Sequence, residues 1–373
     1  MERRGRKPTR KNEDEITPVI LLALASIIAT FVFSYFAYAV TKNEFPQSLA
    51  GLWDRWDTPH YLEIAKNGYL PDGEGALFIV FLPAYPLLVR AVFELVREYL
   101  ASALLVSNIA FVIAVVFFYK LVRLDYGRQD AYRAVKYLSI FPTAYFLHAG
   151  YTESVYLATA IASFYYARKS NWKFAGASGM LAALTRMTGV VLLFALPLEY
   201  VRRKAGKGGA DNKVGWLFLV ALGLGAYLAI NYAVFQDPLK FMQVQQEHWS
   251  KKLALPTDGA LGALNSLSWR SPNEKLMVGV SELFFAAIGL VLGIHALLWV
   301  RKSYGIYCLA TWLAVTSTSY WMSIPRYTIS MFPIFVSLSL LGRNRIADYT
   351  ITLSSILLQA LFLTLFAWGW WAF

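Results

Sequence analysis

The chain is poor in the residues on which soluble and secreted proteins depend. Of its 373 residues only 16% are charged, whereas 57% are hydrophobic, and the mean hydropathy is +0.46. The one cysteine, Cys308, lies inside an apolar run, which excludes a disulfide framework and a cysteine-based metal site. These proportions fall outside those of an ordinary soluble domain and predict an all-α polytopic membrane protein.

Several motifs that would indicate other functions are missing. The sequence has no G-x-x-x-x-G-K-[ST] loop, so we expect no dependence on cytosolic ATP. It also has no His-x-x-x-His motif or clear carboxylate cluster, so no metal or other cofactor is predicted; a hydrated divalent ion between Asp54 and Asp57 stays open as a weak alternative. No paired internal repeat of the kind found in transporters is visible.

The positive charges are grouped. The net charge of +12 comes from short basic clusters between apolar runs, at MERRGRKPTRK, ARKSNWK, RRKAGKGG, RKSYG and GRNR. This distribution is typical of the cytoplasmic side of a membrane protein and does not predict a nucleic-acid partner. Residues 1–17 are predicted to be a basic cytoplasmic tail, and the apolar residues 18–40, which are too long for a signal peptide, an uncleaved first span.

Hydropathy predicts about eleven membrane spans, judged by the length that a helix needs to cross the hydrocarbon layer of the bilayer. They lie near 18–40, 101–123, 131–148, 151–168, 172–185, 187–201, 214–235, 276–300, 304–322, 326–342 and 350–372. The segment 77–97 is predicted to be a juxtamembrane or re-entrant piece on the external side, because it contains Pro83, Pro86 and Arg90 and because crossing would turn the later basic clusters outward. This topology places the C-terminus and the long loops 41–76 and 236–275 outside.

The first long loop contains the polar stretch RWDTPHYLEIAKNGY, residues 55–69. Thr58 followed by Pro59 predicts a helix start with Thr58 as its cap, and Asn67 with Gly68 predicts its end. Asp57 then falls just before the helix. We expect the aromatic and apolar side chains of this helix to rest at the bilayer surface: Trp56, Tyr61 and Ile64.

Asp57 has two interpretations. It is either a helix cap or a carboxylate that the positive end of the helix keeps ionised and that acts as a general base on a hydroxyl. Asp54 is a second candidate, because Trp53 and Asp54 repeat the pair Trp56 and Asp57. The sequence alone leaves the choice between the two acids open.

Five further polar residues are candidates. His60 is either a satisfied interfacial histidine or a ligand for an anionic group, and Glu63 is most simply a solvated surface residue. Glu153 and Arg186 lie at the apices of two short helical pairs, HAGYTES and TRMTG, and Arg326 lies in SIPRYTISMFP. Charges between apolar helices are costly, so these three either pair with one another to hold the bundle or grip a phosphate through the guanidinium groups.

The order of the polar blocks resembles one family. RWDTPHYLEIAKNGY, FLPAYPLLVR, SIFPTAYFLHAGYTESVYL, LAALTRMTGVVLL and SIPRYTISMFPIF resemble, over residues 55 to about 340, the PIG-V family, the second mannosyltransferase of GPI-anchor synthesis, and its prokaryotic relatives. The resemblance implies an all-α GT-C glycosyltransferase fold, with residues 18–373 forming one transmembrane domain and external loops at 41–100 and 236–275. It also implies transfer, with inversion, from a polyprenyl (dolichyl) phosphate mannose at the outer face.

The resemblance implies roles for particular residues. Asp57 is the expected catalytic base, with Asp54 as the alternative, and the glycolipid or glycan acceptor is expected near Glu63, His248 and Trp249. The donor and its phosphate are expected to contact five residues: His60, Tyr151, Glu153, Arg186 and Arg326. The basic N-terminal tail resembles that of a prokaryotic plasma-membrane protein, so the family's own acceptor is not carried over. A flippase for a lipid-linked sugar and a GT-C enzyme for another sugar are the alternatives.

Overall fold

The computed structural model describes residues 13–207 and 212–373, and these residues are almost entirely helical. Within them the extended structure is limited to an isolated antiparallel bridge between Leu253 and Thr318. The predicted all-α architecture is therefore confirmed. Residues 1–12, which make up most of the predicted basic tail, and residues 208–211, at the end of one basic cluster, lie outside the described part of the chain.

The α-helices are, in chain order, α1 (Glu13–Lys42), α2 (Asp57–Asn67), α3 (Ala84–Val96), α4 (Tyr99–Val122), α5 (Arg128–Ser139), α6 (Glu153–Arg168), α7 (Trp172–Thr185), α8 (Leu192–Lys207), α9 (Phe218–Phe235), α10 (Lys240–Glu247), α11 (Pro256–Trp269), α12 (Pro272–Glu274), α13 (Ser281–His295), α14 (Lys302–Thr316), α15 (Ile324–Ile329), α16 (Pro333–Leu341) and α17 (Arg345–Trp368). Short 3-10 segments include Ala50–Trp53, Glu74–Val80, Ala144–Leu147, Met187–Val191 and Asn212–Leu217. π-helical turns, Lys275–Val280 and Ala296–Val300, flank α13.

Five helical segments of the described chain are long and apolar enough to cross a membrane: Glu15–Lys42, Tyr99–Val122, Lys213–Phe235, Lys275–Val300 and Arg345–Trp368. The predicted number of about eleven spans is not confirmed. The remaining predicted spans fall on shorter helices, such as α5 with 12 residues and α7 with 14 residues. Hydropathy detects an apolar segment, but it does not detect the turns that divide it.

The segment that was predicted not to cross is sharply bent. The 3-10 helix Glu74–Val80 and α3 meet at an angle of 115° at the turn that contains Pro83. On α3, Tyr85 and Val89 are buried whereas Leu87 and Leu95 are exposed. Arg90 donates from Nη1 to the carbonyl oxygen of Lys66 at 3.1 Å, which caps the C-terminal end of α2. α3 is thus an amphipathic helix tied to α2.

The centre of the molecule is a group of packed helices, α4, α6 and α7, with the turn before α16 against α4 and α6 and α16 itself against α5. Aromatic edges fill this core: the ring of Phe332 lies 5.8 Å from that of Phe118 and 5.4 Å from that of Phe164. Rigid packing of this kind fixes the turns at the helix ends. The turns before α6 and after α7 carry the residues of the candidate site.

Candidate active site

A cavity of about 1630 Å³ opens on one side of the core. Its wall is formed by the start of α2, the turns before α6 and after α7, α10, the segment 249–253, the start of α15 and the residues at the end of α17. Asp57, Tyr151, Arg186 and Arg326 all lie on this wall. The cavity therefore brings together residues that are far apart in the sequence.

The helix that carries Asp57 begins two residues earlier than predicted. α2 starts at Asp57, after Trp56 with a φ of +54°, so the prediction of Thr58 as the cap is wrong. Tyr151 fixes this turn instead, since the N–H of Asp57 donates to the Tyr151 hydroxyl at 3.2 Å and that hydroxyl donates to the carbonyl oxygen of Arg55 at 3.1 Å. A tertiary contact has replaced the local cap. The predicted end is confirmed at Gly68, where φ is +74°.

The apolar face of α2 packs into the protein. Tyr61 and Ile64 are each only 5% exposed, so the prediction that they rest at the bilayer surface is wrong. The Tyr61 ring lies 5.2 Å from that of Tyr85 on α3 and 5.0 Å from that of Phe81. Only Trp56 is largely exposed, at 42%. The long loop thus forms a wall of the cavity.

Four charged side chains form one network, named here the cavity cluster: Asp57, Glu153, Arg186 and Arg326. Arg326 donates from Nη1 to Oδ2 of Asp57 at 2.6 Å and from Nε to Oε1 of Glu153 at 2.5 Å. Arg186 donates from Nη1 to the same Glu153 oxygen, and also to the Thr152 hydroxyl at 3.1 Å. Glu153 therefore joins the two arginines. The ion pairing between these charges that the sequence analysis gave as one alternative is thus observed.

The cavity cluster is incompletely paired. Glu153 is fully buried, and its Oε2 atom has no hydrogen-bond partner among the described residues. The Asp57 side chain is 24% exposed, and its Oδ1 atom is free of hydrogen bonds within the described chain. The Arg326 guanidinium also lies over the Tyr151 ring, 4.4 Å from its centre. Asp57 thus has an oxygen available to a ligand in the cavity, whereas Glu153 is buried next to the residues that line it.

His60 lies one turn after Asp57 in an aromatic environment. Its ring centre is 4.5 Å from that of Phe78, 5.4 Å from that of Phe81 and 6.1 Å from that of Trp249. Burial lowers the pKa of the His60 imidazole, and the neighbouring Asp57 carboxylate only partly opposes this effect. His60 is on the cavity wall, but as a neutral imidazole it offers an N–H group rather than a positive charge.

The remaining candidates divide into two groups. Trp249 lines the cavity, whereas Asp54, Glu63 and His248 do not. Asp54 is exposed on the preceding turn, and Glu63 accepts a hydrogen bond from the Asn67 amide on the far side of α2. Asp54, Glu63 and His248 are therefore not placed to contact a substrate in this cavity. Between the two acids that the sequence left open, the geometry favours Asp57.

The structure adds Glu282, which the sequence reasoning missed. This fully buried residue of α13 accepts hydrogen bonds from the backbone N–H groups of Ser323, at 2.7 Å, and of Ile324, at 2.8 Å. Ser323 has a φ of +74°, and the contacts hold the start of α15, two residues before Arg326. The rule that an acid inside an apolar span is functional would have selected Glu282 as well as Glu153.

Among the described residues, no three His, Cys, Asp or Glu side chains stand close enough together to hold a metal ion. The cation next to Asp57 is instead the guanidinium of Arg326. The expectation that no cofactor is required stays a prediction.

Comparison with known proteins finds a family that part of this chain resembles. Residues 35–203 match the family described as Mannosyltransferase (PIG-V), and this range includes Asp57, Glu153 and Arg186 but not Arg326. GPI alpha-1,6-mannosyltransferase 2 of Cricetulus griseus is 31% identical over 166 residues, which cover 41% of this chain and 32% of that protein. The match thus spans about a third of the length of the curated relative.

Solved structures with a similar arrangement of helices include the Archaeoglobus fulgidus oligosaccharyltransferase in its apo form, with a TM-score of 0.49 and 13% identity over 94% of this chain and 56% of that chain. The same archaeal enzyme in complex with an inhibitory peptide and a dolichol-phosphate has a TM-score of 0.48 and 15% identity over 92% of this chain and 55% of that chain. Over residues 35–203, the family match agrees with the resemblance stated from the sequence motifs.

Proposed function

We propose that this protein is a membrane mannosyltransferase that moves mannose from a polyprenyl (dolichyl) phosphate donor to a hydroxyl group of a glycolipid or glycan acceptor. The family match supports the reaction class. The observation that carries the proposal is the position of the Asp57 carboxylate, beside two arginines on the wall of one large cavity. In this proposal the enzyme lies in the plasma membrane with its N-terminus in the cytoplasm, and the cavity opens at the external face.

The proposed reaction is a single displacement. Asp57 accepts the proton of the acceptor hydroxyl, and the oxygen attacks the anomeric carbon from the face opposite the phosphate. The bond between that carbon and the phosphate oxygen breaks, and its electron pair leaves with the polyprenyl phosphate. Because Oδ2 of Asp57 is bound to Arg326, Oδ1 takes the proton in this proposal. Base catalysis of this kind contributes about 10²- to 10⁴-fold.

Arg186 and Arg326 have donors left for the phosphate. Arg326 uses Nε and Nη1 in the cavity cluster, and Arg186 uses Nη1. Each guanidinium has five N–H groups, so Nη2 of both residues and Nε of Arg186 remain. A preorganised donor to developing negative charge is worth about 3–4 kcal/mol. No divalent metal is required in this proposal.

The size of the cavity fits a reaction with two substrates. Its volume of about 1630 Å³ exceeds the ~300–1,000 Å³ of a typical small-molecule site. One part of the wall is apolar and includes Leu361, Leu365, Met277 and Val278, whereas α10 contributes amide and carboxylate side chains. A lipid-linked sugar and a polar acceptor can therefore occupy different parts of one cavity.

The test compares Asp57→Asn with Asp54→Asn, a matched change on the preceding turn. Protein in proteoliposomes receives labelled polyprenyl-phosphate mannose together with a glycolipid extract, and released polyprenyl phosphate and labelled product are measured. We expect release by wild type and Asp54→Asn, and a loss of at least about 10²-fold in Asp57→Asn.

Two results would contradict the proposal. An inactive Asp54→Asn together with an active Asp57→Asn would move the base to Asp54. Movement of intact donor across the bilayer without release of polyprenyl phosphate by wild type would favour the flippase alternative. Competition by unlabelled polyprenyl-phosphate glucose or arabinose in the same assay separates mannose from other donor sugars.

A further inference from the structure

The cavity contains a third cation close to the cavity cluster. Lys251, in the segment between α10 and α11, lies on the cavity wall with its Nζ atom 5.6 Å from the centre of the Tyr327 ring. The guanidinium carbon of Arg186 lies 5.1 Å from the centre of the same ring. Lys251 and Arg186 therefore approach one aromatic side chain, the residue that follows Arg326.

Lys251 differs from the two arginines because no carboxylate of the described chain pairs with its charge. Two carboxylates, Asp57 and Glu153, offset the charges of Arg186 and Arg326. Lys251 is half-buried and forms no ion pair with any described acidic residue; its interaction with Glu282 is a longer-range attraction to a carboxylate that two backbone N–H groups already bind. A positive charge without a partner thus faces the same cavity as a neutral cluster.

The backbone around Lys251 is held in place. The N–H of Lys251 donates to the carbonyl oxygen of Gln245 at 3.1 Å, and the Tyr320 hydroxyl donates to that of Trp249 at 2.8 Å. The N–H of Ser319 donates to the carbonyl oxygen of Lys252 at 2.8 Å. The residues on both sides of Lys251 are therefore fixed to the segment that leads into α15, which carries Arg326.

We propose that Lys251 binds the phosphate group of the lipid donor and of the polyprenyl phosphate product, an inference that rests on the proposed function. When the bond to the anomeric carbon breaks, the phosphodiester becomes a monoester and the leaving oxygen gains the electron pair. The negative charge of the phosphate group therefore increases during the reaction, while Asp57 becomes neutral as it takes the proton of the acceptor. A lysine without a partner stabilises this added charge as a point charge, whereas the arginines contribute hydrogen bonds.

Binding measurements with defined lipids test this assignment. Protein in nanodiscs is titrated with a short-chain polyprenyl phosphate and with the matching polyprenol, which lacks the phosphate. The variants are Lys251→Met, Lys251→Arg and, as the matched control, Lys66→Met, which changes an exposed lysine of α2 that does not line the cavity. We expect Lys251→Met to weaken polyprenyl phosphate binding about 10- to 100-fold and to leave polyprenol binding unchanged. Lys251→Arg should retain most of the preference for phosphate, and Lys66→Met should match wild type.

Kinetic data separate the donor phosphate from a phosphate on the acceptor. If Lys251 holds the donor, Lys251→Met raises the KM for polyprenyl-phosphate mannose and weakens inhibition by polyprenyl phosphate. Unchanged binding of polyprenyl phosphate by Lys251→Met, or a change confined to the KM of the acceptor, would overturn the assignment even if wild type transfers mannose. Absence of transfer by wild type would contradict the proposed function, whereas the loss of phosphate preference in Lys251→Met would still be measurable.

Discussion

Two clusters in this molecule have the same composition but different surroundings. The cavity cluster joins two acids and two arginines, of which Asp57, Arg186 and Arg326 lie on the wall of the cavity. A second cluster, named here the closed cluster, also joins two acids and two arginines. They lie just after α4, at the end of α6, in the middle of α8 and just before α14, respectively: Asp125, Arg168, Glu199 and Arg301. None of these four residues lines the cavity.

The closed cluster is fully paired. Arg168 donates from Nη1 and Nη2 to both oxygens of Asp125, at 2.6 and 2.7 Å. Arg301 binds both oxygens of Glu199 in the same two-pronged way, at 2.6 and 2.7 Å, and the Ser303 hydroxyl adds a further donor. Each carboxylate therefore has both of its oxygens bound.

The cavity cluster lacks this completeness. Asp57 has one contact to Arg326, and the second oxygen of Glu153 is buried without a partner in the described chain. A buried group without a partner is costly, and such groups persist at sites that act on a ligand. The comparison teaches that paired charges inside the bundle do not by themselves indicate a functional site. Polar atoms without a partner next to a cavity are the better indication.

The largest expected effect is from Arg326→Gln in the cavity cluster. This change removes the contact to Asp57, one of two contacts to Glu153 and a donor for the phosphate, so we expect kcat/KM for mannosyl transfer to fall about 10³- to 10⁴-fold. Arg343→Gln, at an arginine whose side chain is 57% exposed, is the control and should retain wild-type activity. Transfer by Arg326→Gln at more than a tenth of the wild-type rate would remove this cluster from the mechanism.

The matched change in the closed cluster should act on stability instead. Arg301→Gln leaves Glu199, whose side chain is 3% exposed, without its two-pronged partner, which costs about 3–5 kcal/mol for a buried pair. The Tm in detergent should fall, while the KM and kcat of the folded fraction should equal those of wild type. A variant with the wild-type Tm and impaired transfer would reverse the roles that we assign to the two clusters.

Part of this arrangement could be predicted from the sequence, because a charge inside an apolar segment is costly wherever the segment packs. Glu153, Arg186 and Arg326 were identified for this reason, and the structure brings them together with Asp57. The end of α2 at Gly68 was predicted because a glycine with positive φ is a local signal.

Other features depend on contacts between distant segments and leave no local signal. The start of α2 is fixed by Tyr151, which lies 94 residues away, and not by Thr58. Lys251 has an ordinary basic loop sequence, and the role that we propose for it depends on its position in the cavity and on the lack of an ion pair with any described acidic residue. The number of membrane spans also could not be derived, since several apolar segments are divided by turns and packed inside the bundle.

A smaller effect on kcat is expected from a change at Glu282, which anchors the start of α15 and so the position of Arg326. Glu282→Gln keeps one acceptor oxygen but replaces the other with an amide that cannot accept from a backbone N–H at Ser323 or Ile324. α15 then loses part of its anchor, and we expect kcat to fall about tenfold, with the donor KM little changed. Glu94→Gln, at an exposed acid of α3 that does not line the cavity, is the control for loss of charge. Equal effects of both variants would exclude a positioning role for Glu282.

The smallest effect concerns pH and His60, next to the cavity cluster. Burial lowers the pKa of this imidazole below 6.5, its usual value, so the folded protein prefers the neutral form. Protonation is then easier in the unfolded chain, and the stability that His60 provides is present above pH 6.5 and decreases as the pH falls through the lower folded-state pKa. In His60→Phe, an aromatic ring still packs against Phe78 and Phe81 but does not titrate. Between neutral and acidic pH, the Tm of wild type should therefore decrease more than the Tm of His60→Phe. The difference between these two decreases should be smaller than the loss of Tm caused by Arg301→Gln. Parallel Tm curves for the two proteins would contradict this, and would mean that Asp57 offsets the burial of His60 completely.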